Sequence, residues 1–197
     1  DPAVGSGGFM ISAYHRLRDA LPESQGSHNR ILNQLYATEI NRFPAHLTAI
    51  NLAIQDLSAY TDEVNVEVTD FFDAKPGYLR LERERASAEG GETDQGIVEE
   101  LGGFDAAVAN PPYIRQENIE DKEKVRSHLS NDTVNGEYLS RRCDIFAYFI
   151  THATEFLNED GKLGFITSDR WLDTQYGEDV QKFILNHFEI EAIIKFD

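Results

Sequence analysis

The residues of this chain best suited to chemistry are Asn110, Pro111, Pro112 and Tyr113. They follow the apolar run Phe104 to Ala109, where a strand should end, and two consecutive prolines break that strand at its last residues. In an open α/β sheet, ligands bind at the carboxyl ends of the strands, so the tetrapeptide is displayed to a site. An Asn side-chain oxygen accepts hydrogen bonds, and a proline carbonyl belongs to a residue without an N–H of its own. Two acceptors can therefore converge on one amino group while Tyr113 offers a stacking face. A planar, conjugated NH₂ group is the guest that suits them. Taken alone, the same residues also describe a Pro-Pro turn closing an edge strand, with Asn as a turn residue.

A second group lies at the start of the chain. Gly5, Ser6, Gly7 and Gly8 lead into Phe9, Met10, Ala13, Tyr14, Leu17 and Leu21, an apolar stripe at helical spacing, so a glycine turn opens a helix. Such a turn lets a ligand approach the backbone closely, and the helix amino terminus behind it presents free N–H groups. A phosphate-binding loop needs Lys after its last glycine, where Phe9 stands, and a hydrolase elbow needs Gly two positions before the Ser, where Val4 stands. A dinucleotide fingerprint wants a third glycine further along. A nucleoside cofactor held by backbone and carboxylate remains. Leu35 to Ile40 is a strand candidate ending at Glu39, placed to hydrogen-bond ribose hydroxyls. Val64, Val66 and Val68 alternate as a strand that ends at Asp70-Phe71-Phe72, where Asp70 can accept a hydrogen bond from an adenine amino group. Either carboxylate alone is equally a solvated strand end; their order along the chain links them.

The remaining elements continue the alternation. Pro22 to Asn29 is a loop by composition, and Pro44 to Leu57 a helix with Pro in its first turn. Gly77 to Gly103 is a charged surface excursion, and Ile114 to Arg142 is too long for an ordinary connection, which marks a functional or mobile loop. Asp144 is a plausible cap for an apolar helix running from Ile145 to Leu157. Gly161 ends that unit; Leu163 to Thr167 is a strand, Gly177 to His187 a helix and Ile190 to Phe196 a final strand. The pattern predicts one α/β domain with a largely parallel sheet. The strand that should lead into Asp1 is missing from the pattern, so exposed sheet edges and lowered stability are expected.

With 41% hydrophobic residues in 197, the chain can bury a sizeable core. No apolar run reaches membrane-spanning length and the amino terminus carries no signal region, so a cytoplasmic location without membrane contact is expected. Cys143 is the only cysteine, which excludes an internal disulfide, and the six histidines do not pair at ligand spacing, so no metal is expected. Lys and Arg number 18 against 35 Asp and Glu, a formal net charge of −17 that opposes a polyanionic partner. The acid concentrates in Glu82 to Glu100. Arg115, Lys122, Lys124, Arg126, Arg141, Arg142 and Arg170 lie in or near the segment after the Pro-Pro turn, either as a solvated loop or as phosphate contacts.

Asp1-Pro2-Ala3-Val4-Gly5-Ser6-Gly7-Gly8-Phe9 resembles the cofactor motif of amino-group DNA methyltransferases, and Asn110-Pro111-Pro112-Tyr113 resembles their catalytic motif. Asp144 with Phe146, the run Gly161 to Ser168, and Trp171-Leu172 with Tyr176-Gly177 are similar to later motifs of adenine methyltransferases from restriction-modification systems. In order and spacing the similarity covers nearly the whole chain; Val4 replaces the Cys often seen in the first motif. The resemblance implies a Rossmann-like S-adenosylmethionine-dependent fold, with residues 1–197 forming part of a catalytic domain. S-adenosyl-L-methionine is the implied methyl donor, and an adenine flipped out of double-stranded DNA the acceptor. By position, Asp1, Ala3, Gly5, Gly7 and Asn110 line the cofactor, Glu39 takes its ribose, Asp70 its adenine, and Phe71 packs on that ring. Asn110 and the Pro111 carbonyl accept both N–H bonds of the target amino group, Pro112 stiffens the turn, and Tyr113 stacks on the base. A restriction or specificity domain or subunit lies outside this chain on the same resemblance. Two alternatives stay open: a methyltransferase for a protein glutamine, which suits the acidic charge, and a cofactor-binding fragment without activity.

Overall fold

The computed structural model describes residues 1–22, 27–59, 61, 64–76, 78–80, 98–100, 103–127 and 139–196. The chain divides into two compact units: Asp1–Ala109 with Phe156–Lys162, and Asn110–Glu155 with Leu163–Asp197.

In the first unit, the helix after the glycine turn is α1, Gly8–Ala20, and buries Met10 and Tyr14 from its predicted stripe. A short helix α2, His28–Leu32, begins inside the segment expected to be loop. The strand β1, Tyr36–Glu39, leads to α3, Arg42–Ala53, and then to β2, Asn65–Val68. β1 and β2 pair in parallel, with Glu39 opposite Val68. α3 stops short of the predicted Leu57 because Gln55 N–H turns back to the Leu52 carbonyl and the Gln55 amide takes the Asn51 carbonyl, which ends the helical ladder. Val4, Met10, Tyr14, Ile31, Leu32, Leu35, Ala37 and Leu52 form one buried cluster under β1. Burying each large aliphatic among them stabilises the unit by roughly 1.5–3 kcal/mol.

A polar chain crosses this core. The buried Tyr14 hydroxyl meets His28 Nδ1 at 2.8 Å, and His28 Nε2 meets Thr61 Oγ1 at 3.0 Å. Removing the hydroxyl leaves a buried imidazole nitrogen unpaired, so Tyr14→Phe should lower unfolding free energy by about 1–3 kcal/mol, read by urea denaturation. An unchanged midpoint would show that the chain contributes nothing to stability.

β3, Tyr78–Arg80, and β4, Val98–Glu100, form an antiparallel pair. The rest of the expected Gly77 to Gly103 excursion, Gly103 apart, lies outside the described residues. β5, Phe104–Ala109, has its predicted bounds and pairs with β6, Leu157–Phe165. Among the described residues the strands form three pairs, β1–β2 parallel, β3–β4 antiparallel and β5–β6, interleaved with helices as expected of an α/β fold. β6 runs through Gly161, which was expected to end an element. A Cβ there would fall 3.0 Å from the Phe104 carbonyl oxygen and 2.9 Å from Leu157 Cβ, so the glycine permits close backbone approach within the strand.

In the second unit, the long loop expected over Ile114 to Arg142 contains a 3-10 turn at Gln116–Asn118 and α4, Lys122–Ser127; residues 128–138 lie outside the described set. α5, Ile145–Thr154, is buried on all sides from Ile145 to Ala153. A further 3-10 turn, Arg170–Asp173, precedes α6, Gly177–His187. The predicted strand Ile190–Phe196 does not form. Alternating side chains are not sufficient for a strand without a neighbouring edge to bond. Ile193, Ile194 and Phe196 stand exposed there.

Candidate functional site

The glycine turn is built onto β1 by backbone. Thr38 N–H donates to the Asp1 carbonyl at 2.9 Å, Val4 N–H donates to the Thr38 carbonyl at 3.1 Å, and the Thr38 hydroxyl donates to the Pro2 carbonyl at 2.8 Å. Asp1 Oδ1 accepts from Ala3 N–H at 3.0 Å, closing a small turn. Gly5 and Gly7 follow with φ of 56° and 91°, the left-handed region that side chains avoid. Gly7 is the amino-terminal cap of α1 and supplies no side chain to it, so the first-turn N–H groups are left for a ligand.

Glu39 joins this turn. Its Oε2 accepts from Gly5 N–H at 3.0 Å, while Oε1 accepts from Asn41 N–H at 3.0 Å and from the Asn41 amide at 3.1 Å. The carboxylate plane is thereby fixed at the carboxyl end of β1. Asp70 lies just past β2 on the same edge of the parallel pair, where Thr69 N–H donates to the Glu39 carbonyl at 3.1 Å. Asp70 Oδ1 accepts from Phe72 N–H at 3.1 Å and caps the 3-10 turn Phe71–Asp73. The Phe71 ring is buried, with its centroid 6.0 Å from that of Phe72 and 5.4 Å from that of Phe156. The first unit thus brings the glycine turn, Glu39 and Asp70 to one strand edge. These groups fit a nucleoside cofactor: a Cβ at Gly5 would meet nothing within 4 Å, the helix terminus is uncapped, and two carboxylates provide acceptors.

In the second unit, Asn110 follows β5 directly and is exposed, Pro111 is buried, and Pro112 is exposed. Tyr113 has 66% of its surface exposed, an aromatic face held in solvent. The Pro112 carbonyl accepts from Ile114 N–H at 3.0 Å. The Asn110 amide and the Pro111 carbonyl have no hydrogen-bond partner among the described residues, and both are acceptors.

The chain after the tetrapeptide is clamped by a residue whose role differs from its expected one. Asp144 makes no side-chain cap on α5. Its Oδ1 instead accepts from Gln116 N–H at 2.9 Å and its Oδ2 from the Tyr176 hydroxyl at 3.1 Å, because these donors approach from outside the helix. Ile145 N–H donates to the Ile114 carbonyl at 3.0 Å, so α5 and the turn share backbone as well. Burial and the Asp144 carboxylate push the Tyr176 hydroxyl above its usual pKa, keeping it a donor to Asp144. Burial, with the Asp179 and Asp144 carboxylates adding, pushes the Cys143 thiol up to about 12, so it is no nucleophile near neutral pH. Trp171 donates to Thr167 Oγ1 at 3.3 Å, and its ring lies 6.1 Å from the buried Phe146 ring.

Of the basic residues, Lys122 donates to Gln116 Oε1 at 3.0 Å, Arg126 to the Leu139 carbonyl at 3.0 Å, and Arg141 lies 3.4 Å from Glu123. Arg115, Arg142 and Arg170 are exposed. Among the described residues no group of three metal-ligating side chains assembles, and no helix is long and apolar enough to cross a membrane.

Thr48 and Asn51, about one turn apart on α3 and both bonded to the glycine loop, were not singled out by the sequence. Thr48 Oγ1 donates to the Gly5 carbonyl at 2.8 Å and the Asn51 amide to the Ser6 carbonyl at 3.1 Å. Their spacing on α3 carries no signal of this, since the partners are distant in sequence.

Known proteins share this chain's pattern. It is 29% identical to the Type II methyltransferase M.BstVI of Geobacillus stearothermophilus over 98% of its length, and 26% identical to the Type II methyltransferase M.XamI of Xanthomonas campestris pv. amaranthicola over 94%. It spans about a third of the first relative, 32%, and 28% of the second. Among solved structures, 95% of the chain superposes on 17% of the Type ISP restriction-modification enzyme LlaGI, solved with a DNA substrate mimic, at a TM-score of 0.59 and 18% identity. LlaBIII, an ATP-dependent enzyme of the same type bound to DNA, matches 94% of the chain over 13% of its own length, at 0.61 and 17%. These two likenesses concern the fold alone. The profile of the Eco57I restriction-modification methylases matches residues 33–197, and the chain belongs to that family.

Proposed function

We propose that this chain is the catalytic part of a DNA adenine methyltransferase of a restriction-modification system, using S-adenosyl-L-methionine. The observation that carries the proposal is the pair of acceptors, Asn110 and the Pro111 carbonyl, without partners among the described residues and beside the exposed Tyr113 ring in a member of this family.

The first unit holds the cofactor. Backbone N–H groups of the glycine turn face it, Glu39 accepts from its ribose hydroxyls and Asp70 from its adenine amino group, with Asp1, Ala3, Gly5 and Gly7 shaping the turn. Phe71 supports that wall from within the core. The cofactor supplies an electrophilic methyl group on a sulfonium.

The second unit holds the target base. An adenine amino group stacked inside a duplex is out of reach, so the base must flip out, and Tyr113 provides a stacking face worth about 1–3 kcal/mol. Asn110 Oδ1 and the Pro111 carbonyl accept the two N–H bonds. Holding both hydrogens in this way would draw the nitrogen lone pair out of conjugation with the ring and free it to attack the donated methyl carbon; the N–C bond would form as the methyl–sulfur bond breaks, S-adenosylhomocysteine would leave, and one N–H proton would pass to water. The site works by positioning and preorganised dipoles, with no strong base and no thiolate. Pro112 stiffens the turn that carries Asn110. Exposed Arg115, Arg142 and Arg170 are available to phosphates, which would offset the charge of −17 locally. Duplex DNA is the partner, together with a restriction or specificity domain or subunit, and the protein acts in the cytoplasm without membrane contact.

The net charge favours one other acceptor, a glutamine side chain on a protein, whose planar NH₂ would fill the same clamp. A radiolabelled-cofactor assay offering duplex DNA and a glutamine peptide in parallel separates the two. Label in DNA alone is expected; label in the peptide alone would replace the DNA assignment, and label in neither would mark a cofactor-binding fragment without activity.

A further inference from the structure

The glycine turn is held from behind by α3. Thr48 is fully buried, and its hydroxyl donates to the Gly5 carbonyl at 2.8 Å. One helical turn on, the Asn51 amide donates to the Ser6 carbonyl at 3.1 Å. Thr48 also closes the space at Gly7: a Cβ there would lie 3.0 Å from both Thr48 Cγ2 and Thr48 Oγ1. The helix is itself fixed, since it buries Ala45, Thr48 and Leu52 in the first unit.

The consequence follows from peptide geometry. In a trans peptide the C=O and the next N–H point in opposite directions. Tying the Gly5 carbonyl to Thr48 therefore turns the Ser6 N–H away from the Thr48 hydroxyl. The Ser6 N–H has no partner among the described residues, whereas the Gly7 N–H is already donated to the Val4 carbonyl at 3.0 Å. One donor is thus left unspent and the other is spent inward, before any ligand arrives.

We infer that Thr48 and Asn51 are positioning residues that preorganise the glycine turn for the cofactor, Thr48 by fixing the Gly5–Ser6 peptide plane and Asn51 by fixing the next one. The inference rests on the cofactor assignment above. A turn ordered beforehand spares the ligand the entropy of ordering it, so the effect falls on affinity.

Titration calorimetry with S-adenosylmethionine on the full chain, combined with amide hydrogen exchange of the free protein, tests this. Thr48→Val keeps the shape and deletes the donor; it should weaken binding about tenfold and speed exchange at Gly7, whose N–H is bonded to the Val4 carbonyl. Thr48→Ser keeps the donor and should restore affinity to within about twofold. Asn51→Ala, at a half-buried position, should weaken binding about threefold to tenfold and carries the test if Thr48→Val does not fold. Wild-type binding with equal affinity in Asn51→Ala and in a folded Thr48→Val overturns the positioning role and leaves the cofactor assignment standing. Failure of the wild type to bind S-adenosylmethionine overturns that assignment and this inference with it.

Discussion

Replacing Asn110 by alanine should lower the methyl-transfer rate by roughly 10²–10³ while leaving S-adenosylmethionine affinity within about twofold of wild type, the scale seen when one preorganised dipole is removed from a polar site. The reason lies in what Asn110 is attached to. It is the first residue beyond β5, followed by a buried proline, so its amide is carried on a rigid support and no neighbouring described group competes for it. Without the amide oxygen, one target N–H loses its acceptor and the nitrogen lone pair stays conjugated with the ring. Asn110→Asp is the informative companion. It keeps an acceptor but adds a charge and removes the amide donor, so activity should fall less than in Asn110→Ala. Single-turnover rates at saturating cofactor, beside calorimetric affinities, read both effects. A near-normal rate in Asn110→Ala would remove the tetrapeptide from the chemistry.

Replacing Glu39 by alanine should act on the opposite quantity and weaken S-adenosylmethionine binding by roughly a hundredfold. Hydrogen bonds to a charged group are each worth about 1.5–3 kcal/mol, and every 1.4 kcal/mol, roughly, is tenfold in affinity. Two losses combine in this variant. The acceptor for the ribose hydroxyls goes, and so does the anchor that takes Gly5 N–H at 3.0 Å. Glu39→Gln retains one oxygen but turns an NH₂ towards either Gly5 N–H or the Asn41 donors, which are already committed as donors. It should sit between alanine and wild type, about tenfold weaker than the latter. Thermal unfolding without cofactor separates a binding loss from a folding loss. Unchanged affinity in a folded Glu39→Ala would take Glu39 out of the cofactor site.

The two substitutions divide the account along the chain, since the affinity effect belongs to the first unit and the rate effect to the second. A variant set in which both residues moved the same parameter would mean that the assignment of roles is wrong.

Much of this was legible in local sequence. The strand ending at Glu39, the strand carrying Val66 and Val68, the run Phe104 to Ala109 and the helix from Gly177 to His187 are short-range patterns of period two or near four, and such patterns report burial on one face. The positive φ of Gly5 and Gly7 follows from their being glycines in a turn before an apolar stripe. What the sequence hid are contacts between residues far apart. Thr48 and Asn51 meet the glycine loop across separations of 43 and 45 residues, and Asp144 meets Gln116 and Tyr176 across 28 and 32. Asp144 beside an apolar helix is indistinguishable from a cap until its donors are located. Ile190 to Phe196 failed for the complementary reason: its alternation is real, but a strand is made by its neighbour's backbone, which composition does not encode.

The amino group proposed to sit between Asn110 and the Pro111 carbonyl is that of adenine in DNA. Nucleoside mass spectrometry of duplex DNA incubated with the protein and S-adenosylmethionine identifies the methylated base. N6-methyldeoxyadenosine is the expected product, absent when Asn110→Ala replaces wild type. Methyl groups found only on cytosine, or DNA left unmodified by a protein that binds the cofactor and methylates a glutamine peptide, would contradict it.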